Sequence, residues 1–213
     1  MSPLLEQPLK FFVVFFVVVE PISLIPLFTG LTSGAAAQDK RRMAFKAVSV
    51  SAAILLLFAL GGAAFLKVMG ISLEAFRIFG GLLLFLLALE MVFARESGAR
   101  TSSDEAAEAR RRADISVFPL AFPFIAGPAA LTTILLWFGR IQLPAQTGLF
   151  AGLIAAAALV LAIVLALLWV AEPLMRVIGV TGANVASRIL GVILGALAVQ
   201  FVLDGLRQAF GAS

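Results

Sequence analysis

Neither cysteine nor histidine occurs in the 213 residues. Without cysteine there is no thiol nucleophile and no disulfide; without histidine there is no imidazole ligand for zinc or haem, and no imidazole proton relay. Charge is scarce too, 13% of residues against 62% hydrophobic, and the mean hydropathy is +1.10. Polar surface cannot cover so apolar a chain in water, so the composition predicts a polytopic membrane protein. Chemistry is left to carboxylates, bases, hydroxyls and backbone. No nucleotide-binding motif is present to drive a primary pump, and no cofactor is called for. The formal net charge of +4 comes from basic residues clustered in short loops. That clustering is a topology signal and does not point to a nucleic-acid partner. No cleavable signal peptide is expected, because Pro3 to Lys10 leads straight into an apolar run too long for one.

A membrane span needs roughly 20 mainly apolar residues. That criterion places spans at 11–31, 47–69, 73–93, 116–138, 147–171 and 184–206. The predicted fold class is all-α, with six transmembrane helices. The longest polar stretch, Arg95 to Asp114, divides a first three-helix half over 1–94 from a second over 115–213, with a charged loop at 95–114 between them. In that loop, Ser103-Asp104-Glu105 ahead of Arg110-Arg111-Arg112 reads as a capped surface helix or as a linker. Ser33 to Lys46, with Gln38-Asp39-Lys40-Arg41-Arg42, reads as a basic loop.

Short loops rich in Lys and Arg stay in the cytoplasm. Lys40, Arg41, Arg42, Lys46, Arg95, Arg100, Arg110, Arg111, Arg112, Arg176 and Arg188 fall on one side. Lys10, Lys67, Arg77, Arg140 and Arg207 fall on the other, eleven against five. Both termini are therefore expected outside, which for a bacterial inner membrane is the periplasm.

The halves resemble each other. Gly70-Ile71-Ser72 and then Arg77-Ile78-Phe79-Gly80-Gly81 match Gly179-Val180-Thr181 and then Arg188-Ile189-Leu190-Gly191-Val192 in order, with the spacing differing by two residues. Three spans per half is an odd number, so the second half enters from the opposite side, an inverted repeat in a 3+3 arrangement.

Spans one and four are each interrupted, at Glu20-Pro21-Ile22-Ser23-Leu24-Ile25-Pro26 and at Gly127-Pro128-Ala129. Proline lacks an amide donor, so Pro21 is expected to free backbone oxygens around Phe16 and Val17. A packed kink is the bland alternative for either proline. A carboxylate at the depth of Glu20 costs at least about 2.5 kcal/mol unless protonated or in a wet cavity. Glu20 is thus a candidate for a substrate amine or a coupling proton, against a neutral acid bonded to a freed carbonyl. Half-helix amides at Ile22 to Leu24 and at Ala129 to Leu131 suit a carboxylate ligand. Small residues Ser23, Gly127, Ala129 and Ala130 admit close approach and a small ligand. Thr132 and Thr133 add hydroxyls, unless these bond back to a carbonyl one turn earlier. The candidate substrate-binding set is therefore Glu20, Pro21, Ile22, Ser23, Leu24, Gly127, Pro128, Ala129, Ala130, Thr132 and Thr133, with the two breaks facing each other.

Remaining polar residues read as structural. Glu74 and Arg77 pair on one helical face, Arg188 snorkels, Glu90 and Asp204 reach water near span ends, and Gln200 is deep enough to cross-link helices. Gly80, Gly81, Gly191 and Gly195 mark close helix packing.

Taken together these residues resemble the MarC family of bacterial inner-membrane proteins over essentially the whole chain. The family's first-span signature is matched by Glu20-Pro21-Ile22-Ser23, Pro26-Leu27-Phe28 and Leu31-Thr32. Further matches are Phe76-Arg77-Ile78-Phe79-Gly80-Gly81, Phe118-Pro119-Leu120-Ala121, Ala126-Gly127-Pro128-Ala129-Ala130-Leu131-Thr132-Thr133, and Arg188-Ile189-Leu190-Gly191 with Gln200. The resemblance implies a 3+3 inverted repeat and, as in some members, transport of small neutral amino acids such as glycine and alanine. Glu20 departs from the usual Asn or Asp, and Ser23 from the usual Gly.

The expected function is a secondary transporter of a small neutral amino acid or similar solute by alternating access, with a proton or sodium ion for coupling. A passive channel built on the same half-helix ends is the alternative. An enzyme is not expected, since no catalytic constellation is left.

Overall fold

A computed structural model describes residues 3–93, 114–141 and 144–211. Among these residues the chain is helical, without strands: α1 (Pro3–Val19), α2 (Pro21–Leu31), α3 (Ala37–Val68), α4 (Leu73–Phe93), an irregular proline segment (Ser116–Ile125), α5 (Pro128–Phe138), α6 (Thr147–Trp169) and α7 (Ala171–Ala209). Five helices are long and apolar enough to cross a membrane, α1 with α2 counting as one. They become six when the proline segment and α5, bent by 55°, count as a single span. The positions follow the hydrophobic runs of the sequence. The reading of Ser103-Asp104-Glu105 lies outside the described residues.

The first span and the fourth are the inner ones, the latter with Leu120, Ala121, Ile125, Ala126, Ile134 and Leu135 all buried. Of the first span's apolar window 61% is buried inside the protein, against 22% to 33% in the other single-helix spans. Leu57, Leu60, Phe79 and Val192 on the outer helices stay exposed, as an all-apolar helix facing lipid requires. α1 packs on α6, α2 on α6 and α7, α3 on the proline segment, α5 and α6, and α4 on α5 and most extensively on α7.

The α4–α7 seam is antiparallel and built on glycine. A Cβ added at Gly205 would lie 2.7 Å from Ile78, one at Gly81 2.8 Å from the Ala198 carbonyl oxygen, and one at Gly191 2.7 Å from the Met91 Cβ. Small residues let two backbones approach where lipid supplies no hydrophobic drive. This register puts Arg77 near the start of α4 and Arg188 beside its end.

Side-chain contacts mark the two ends of the bundle. At one, Lys46 Nζ meets Asp114 at 2.7 Å, Lys40 pairs with Glu172, and Trp169 Nε1–H donates to the Arg41 carbonyl at 3.4 Å. At the other, Arg140 donates to Gln208, near an aromatic cluster of Phe11, Phe138 and Phe150.

Two features differ from the sequence expectation. The basic run at Lys40 to Lys46 is helical, not a loop: Gly34, at φ 82°, makes the turn and α3 begins at Ala37. At about 1.5 Å per residue, a helix of 32 residues outreaches a hydrocarbon core of about 30 Å, so its charged first turns stand outside the lipid. α7 is also divided, at Gly179, whose φ of 66° and ψ of 173° belong to a region open essentially to glycine alone.

Candidate functional site

The first break is made by one residue. Glu20 adopts φ 53° and ψ 59°, the left-handed region, and is the one non-glycine residue with positive φ among the described residues. Pro21 follows and has no amide to give the Val17 carbonyl. The Phe16 carbonyl, by contrast, still accepts from the Glu20 amide at 3.1 Å, so it is not freed as expected. The amides of Ser23 and Leu24 both donate to the Glu20 carbonyl, at 3.1 and 3.3 Å. Two of the three amides expected to face a ligand here are thereby engaged within the chain.

The Glu20 side chain is 2% exposed. Its Oε1 accepts from Ser23 Oγ at 3.2 Å, and Ser23 Oγ lies 2.5 Å from Ser187 Oγ on α7. Ser187 carries no periodic or motif cue in the sequence, being a single hydroxyl between Ala186 and Arg188.

The second break is longer than the expected interruption at Gly127. Phe118 (φ −126°, ψ 127°) and Phe122 (φ −132°, ψ 129°) are extended, and each precedes a cis proline, Pro119 and Pro123. Wide turns close the segment, Leu120 N–H to Ile115 O at 3.2 Å and Ala126 N–H to Ala121 O at 2.8 Å. The fourth span is thus not α-helical before Pro128. The reason lies in two prolines four apart, each removing a donor from the same strip of backbone. Ser51 of α3 reaches the Ala121 carbonyl at 3.4 Å.

Gly127 is required where it stands, because a Cβ there would be 2.0 Å from the Pro123 carbonyl oxygen. Pro128 then starts α5, and Leu131 N–H to Gly127 O, at 2.9 Å, is the first bond of the helix. The amides of Ala129 and Ala130 precede that bond and have no helical carbonyl to meet. Ala129 and Ala130 line a small cleft of about 30 Å³, walled also by Pro123, Phe124, Gly127 and Pro128 and by Val18 of α1 with Leu83 and Leu87 of α4. A space of that size takes one or two waters.

A family model described as "MarC family integral membrane protein" matches residues 5–210. The chain belongs to the MarC family. Relatives of this MarC chain include the "UPF0056 membrane protein YhcE" of Escherichia coli (strain K12), 34% identical over 204 residues, 94% of this chain and 92% of the relative. A "UPF0056 membrane protein" of Aquifex aeolicus (strain VF5) is 33% identical over 200 residues, 93% of this chain and 92% of the relative. The "UPF0056 membrane protein YvbG" of Bacillus subtilis (strain 168) is 33% identical over 201 residues, 93% of each chain. No solved structure matches.

Of the candidate residues in this MarC protein, Gly127, Pro128, Ala129 and Ala130 line the cleft, while Pro21, Ile22, Ser23 and Leu24 do not. The first break reaches the cleft through Val18, two residues before Glu20. Thr133 Oγ1 bonds back to the Ala129 carbonyl at 2.9 Å, and Thr132 is buried against Gly80. Neither threonine lines the cleft. Glu74 and Arg77 do not form the expected pair: among the described residues the ion pairs are Lys10–Glu6, Lys40–Glu172 and Lys46–Asp114. Gln200 does not join two helices; its amide donates to Asp204 one turn along α7, at 2.7 Å.

Proposed function

We propose that this MarC protein is a secondary transporter of small neutral amino acids, working by alternating access around the two breaks. The observation that carries the reading is the first turn of α5, whose Ala129 and Ala130 line the cleft and precede the first bond of the helix. A helix N-terminus with uncommitted amides attracts an anionic group such as an amino-acid carboxylate. Val18, Leu83 and Leu87 offer an apolar wall to a small side chain. Glu20, in the neighbouring break, takes the substrate amine or a coupling proton, with sodium as the other candidate ion. The cleft holds only water-sized occupants, so substrate enters a more open conformation than this one.

The reading includes an inverted 3+3 repeat. Exchanging the halves maps the packing of the first span on α6 and α7 onto that of the fourth on α3 and α4, and returns the α4–α7 seam to itself. A chain so built can rock one half against the other about a fixed site. The reading also puts both termini outside a bacterial inner membrane, supported by the basic residues gathered around the Lys40–Glu172 end.

Uptake of labelled amino acids by reconstituted vesicles, with proton and sodium gradients imposed separately, tests this directly. Concentrative uptake of glycine or alanine under one gradient is the expected result. Equilibration without accumulation under every gradient would leave a passive channel, and no flux of any amino acid would remove the reading altogether.

A further inference from the structure

Three side-chain oxygens connect the first span to the sixth, Glu20 Oε1 to Ser23 Oγ at 3.2 Å and Ser23 Oγ to Ser187 Oγ at 2.5 Å. The hydroxyls have one proton each to give. When the Glu20 carboxyl is ionised it can only accept, so Ser23 spends its proton on Glu20. Ser23 can then only accept from Ser187. The chain has a single direction in that state, Ser187 to Ser23 to Glu20. Protonating the carboxyl lets it donate to Ser23, and the direction can reverse, releasing the Ser187 hydroxyl for another acceptor. The state of one buried carboxyl thereby decides what a hydroxyl on another span does.

The charged residues of the elements packed on α1 and α2 are few. α5 and α6 carry none. On α7, Arg188 follows Ser187 with its side chain exposed, Glu172 and Arg176 lie beyond Gly179, and Asp204 and Arg207 belong to the far end. On α1 itself, Glu6 and Lys10 pair at the exposed start.

We infer that Ser187 is a positioning residue for Glu20, acting through Ser23, and that this hydroxyl chain ties the sixth span to the first break in a manner set by the charge of the carboxyl. The inference rests on the reading of Glu20 as part of the transport site and adds to it the residue through which Glu20 acts on α7.

Labelling of Glu20 by dicyclohexylcarbodiimide, which attacks protonated carboxyls and partitions into apolar surroundings, tests it on the purified full chain without substrate. Adduct at residue 20 is counted by peptide mass across a pH series, with Glu20→Gln as the blank. At pH 7, Ser23→Ala is expected to label about tenfold faster than the wild type, the consequence of losing one hydrogen bond to a charged acceptor. Ser187→Ala, one bond further out, is expected to label about threefold faster. Both excesses should vanish as the pH is lowered, and Ser187→Thr, which keeps the hydroxyl, should behave as wild type. A Ser187→Ala rate equal to wild type at pH 7 overturns the inference. So does an excess that persists at the lowest pH, since that reports wider access and not a lost donor. Labelling needs no transport, so failed uptake and a failed hydroxyl chain give separate results.

Discussion

Gly80 of α4 and Thr132 of α5 meet with no room for a methyl group between them: a Cβ at Gly80 would stand 1.9 Å from Thr132 Cγ2. This contact seats the half-helix that carries the cleft against the third span. Gly80→Ala is therefore expected to lower stability by about 1–3 kcal/mol, the usual cost of overpacking, despite the better helix propensity of alanine. Gly61→Ala, with nothing within 4 Å of the added carbon, is the control and should be neutral or stabilising. Thermal melting of the two detergent-solubilised variants checks the difference.

Glu20 sits at φ 53°, a conformation that asparagine tolerates and β-branched residues do not. Glu20→Asn should match or exceed the wild type in melting temperature. Glu20→Val should fall below it by about 1–3 kcal/mol. Because both remove the carboxylate, lost uptake in the stable Asn variant assigns a functional role to the carboxyl that no folding defect can imitate.

These cases indicate how far the sequence could be read. Spans and breaks were legible because length, hydropathy and proline are properties of the chain taken locally. The glycines were legible as packing points, as small residues have few other uses in lipid, and Gly80 does seat the third span against the broken fourth; that Gly81 and Gly191 join the third span to the sixth, and not to the broken spans, was not legible. Nor was Ser187, since a lone serine acquires meaning only from the helix that happens to lie opposite. The proline segment is illegible for a different reason: Pro119 and Pro123 announce lost donors but not how the backbone recovers its bonds. Thr133 and Gln200 chose acceptors one turn away on their own helices, a choice fixed by rotamer and packing. The basic run at Lys40 reads as a loop in the sequence and is helix in the structure because charge ends a lipid span without ending a helix.

Asp114 supplies a test by pH outside the membrane. Lys46 at 2.7 Å and the Ser116 hydroxyl and amide, the latter at 2.9 Å, hold its carboxyl down to about 2 from an ordinary 3.8. A depressed carboxyl contributes stability that is fully present above its unfolded value and fades as pH falls from about 3.8 towards 2. The side chains are half exposed, so the contribution is small and screened by salt. Asp114→Asn should melt slightly below wild type at pH 6 and low salt, and the gap should close by pH 2 or in high salt. A gap that is constant with pH would mean that packing, not charge, holds the segment.

The decisive comparison for the cleft separates filling it from unfolding the protein. Ala129 is partly buried and lines the cleft, and its carbonyl is held by Thr133, so a larger side chain there extends into the opening without breaking α5. Leucine adds three carbons to a space that takes one or two waters between Val18, Leu83 and Leu87, and so fills it. Ala129→Leu should therefore melt near the wild-type temperature while uptake drops by more than about tenfold, the effect of losing as little as about 1.4 kcal/mol of binding. Ala53→Leu, on an exposed face of α3, adds the same volume to the lipid side and should leave uptake intact. If Ala129→Leu transports as well as Ala53→Leu, the amides of α5 lie off the substrate path. The proposed site would then have to move to the Glu20 side of α1, where Ser187 and not α5 would supply the remaining contacts.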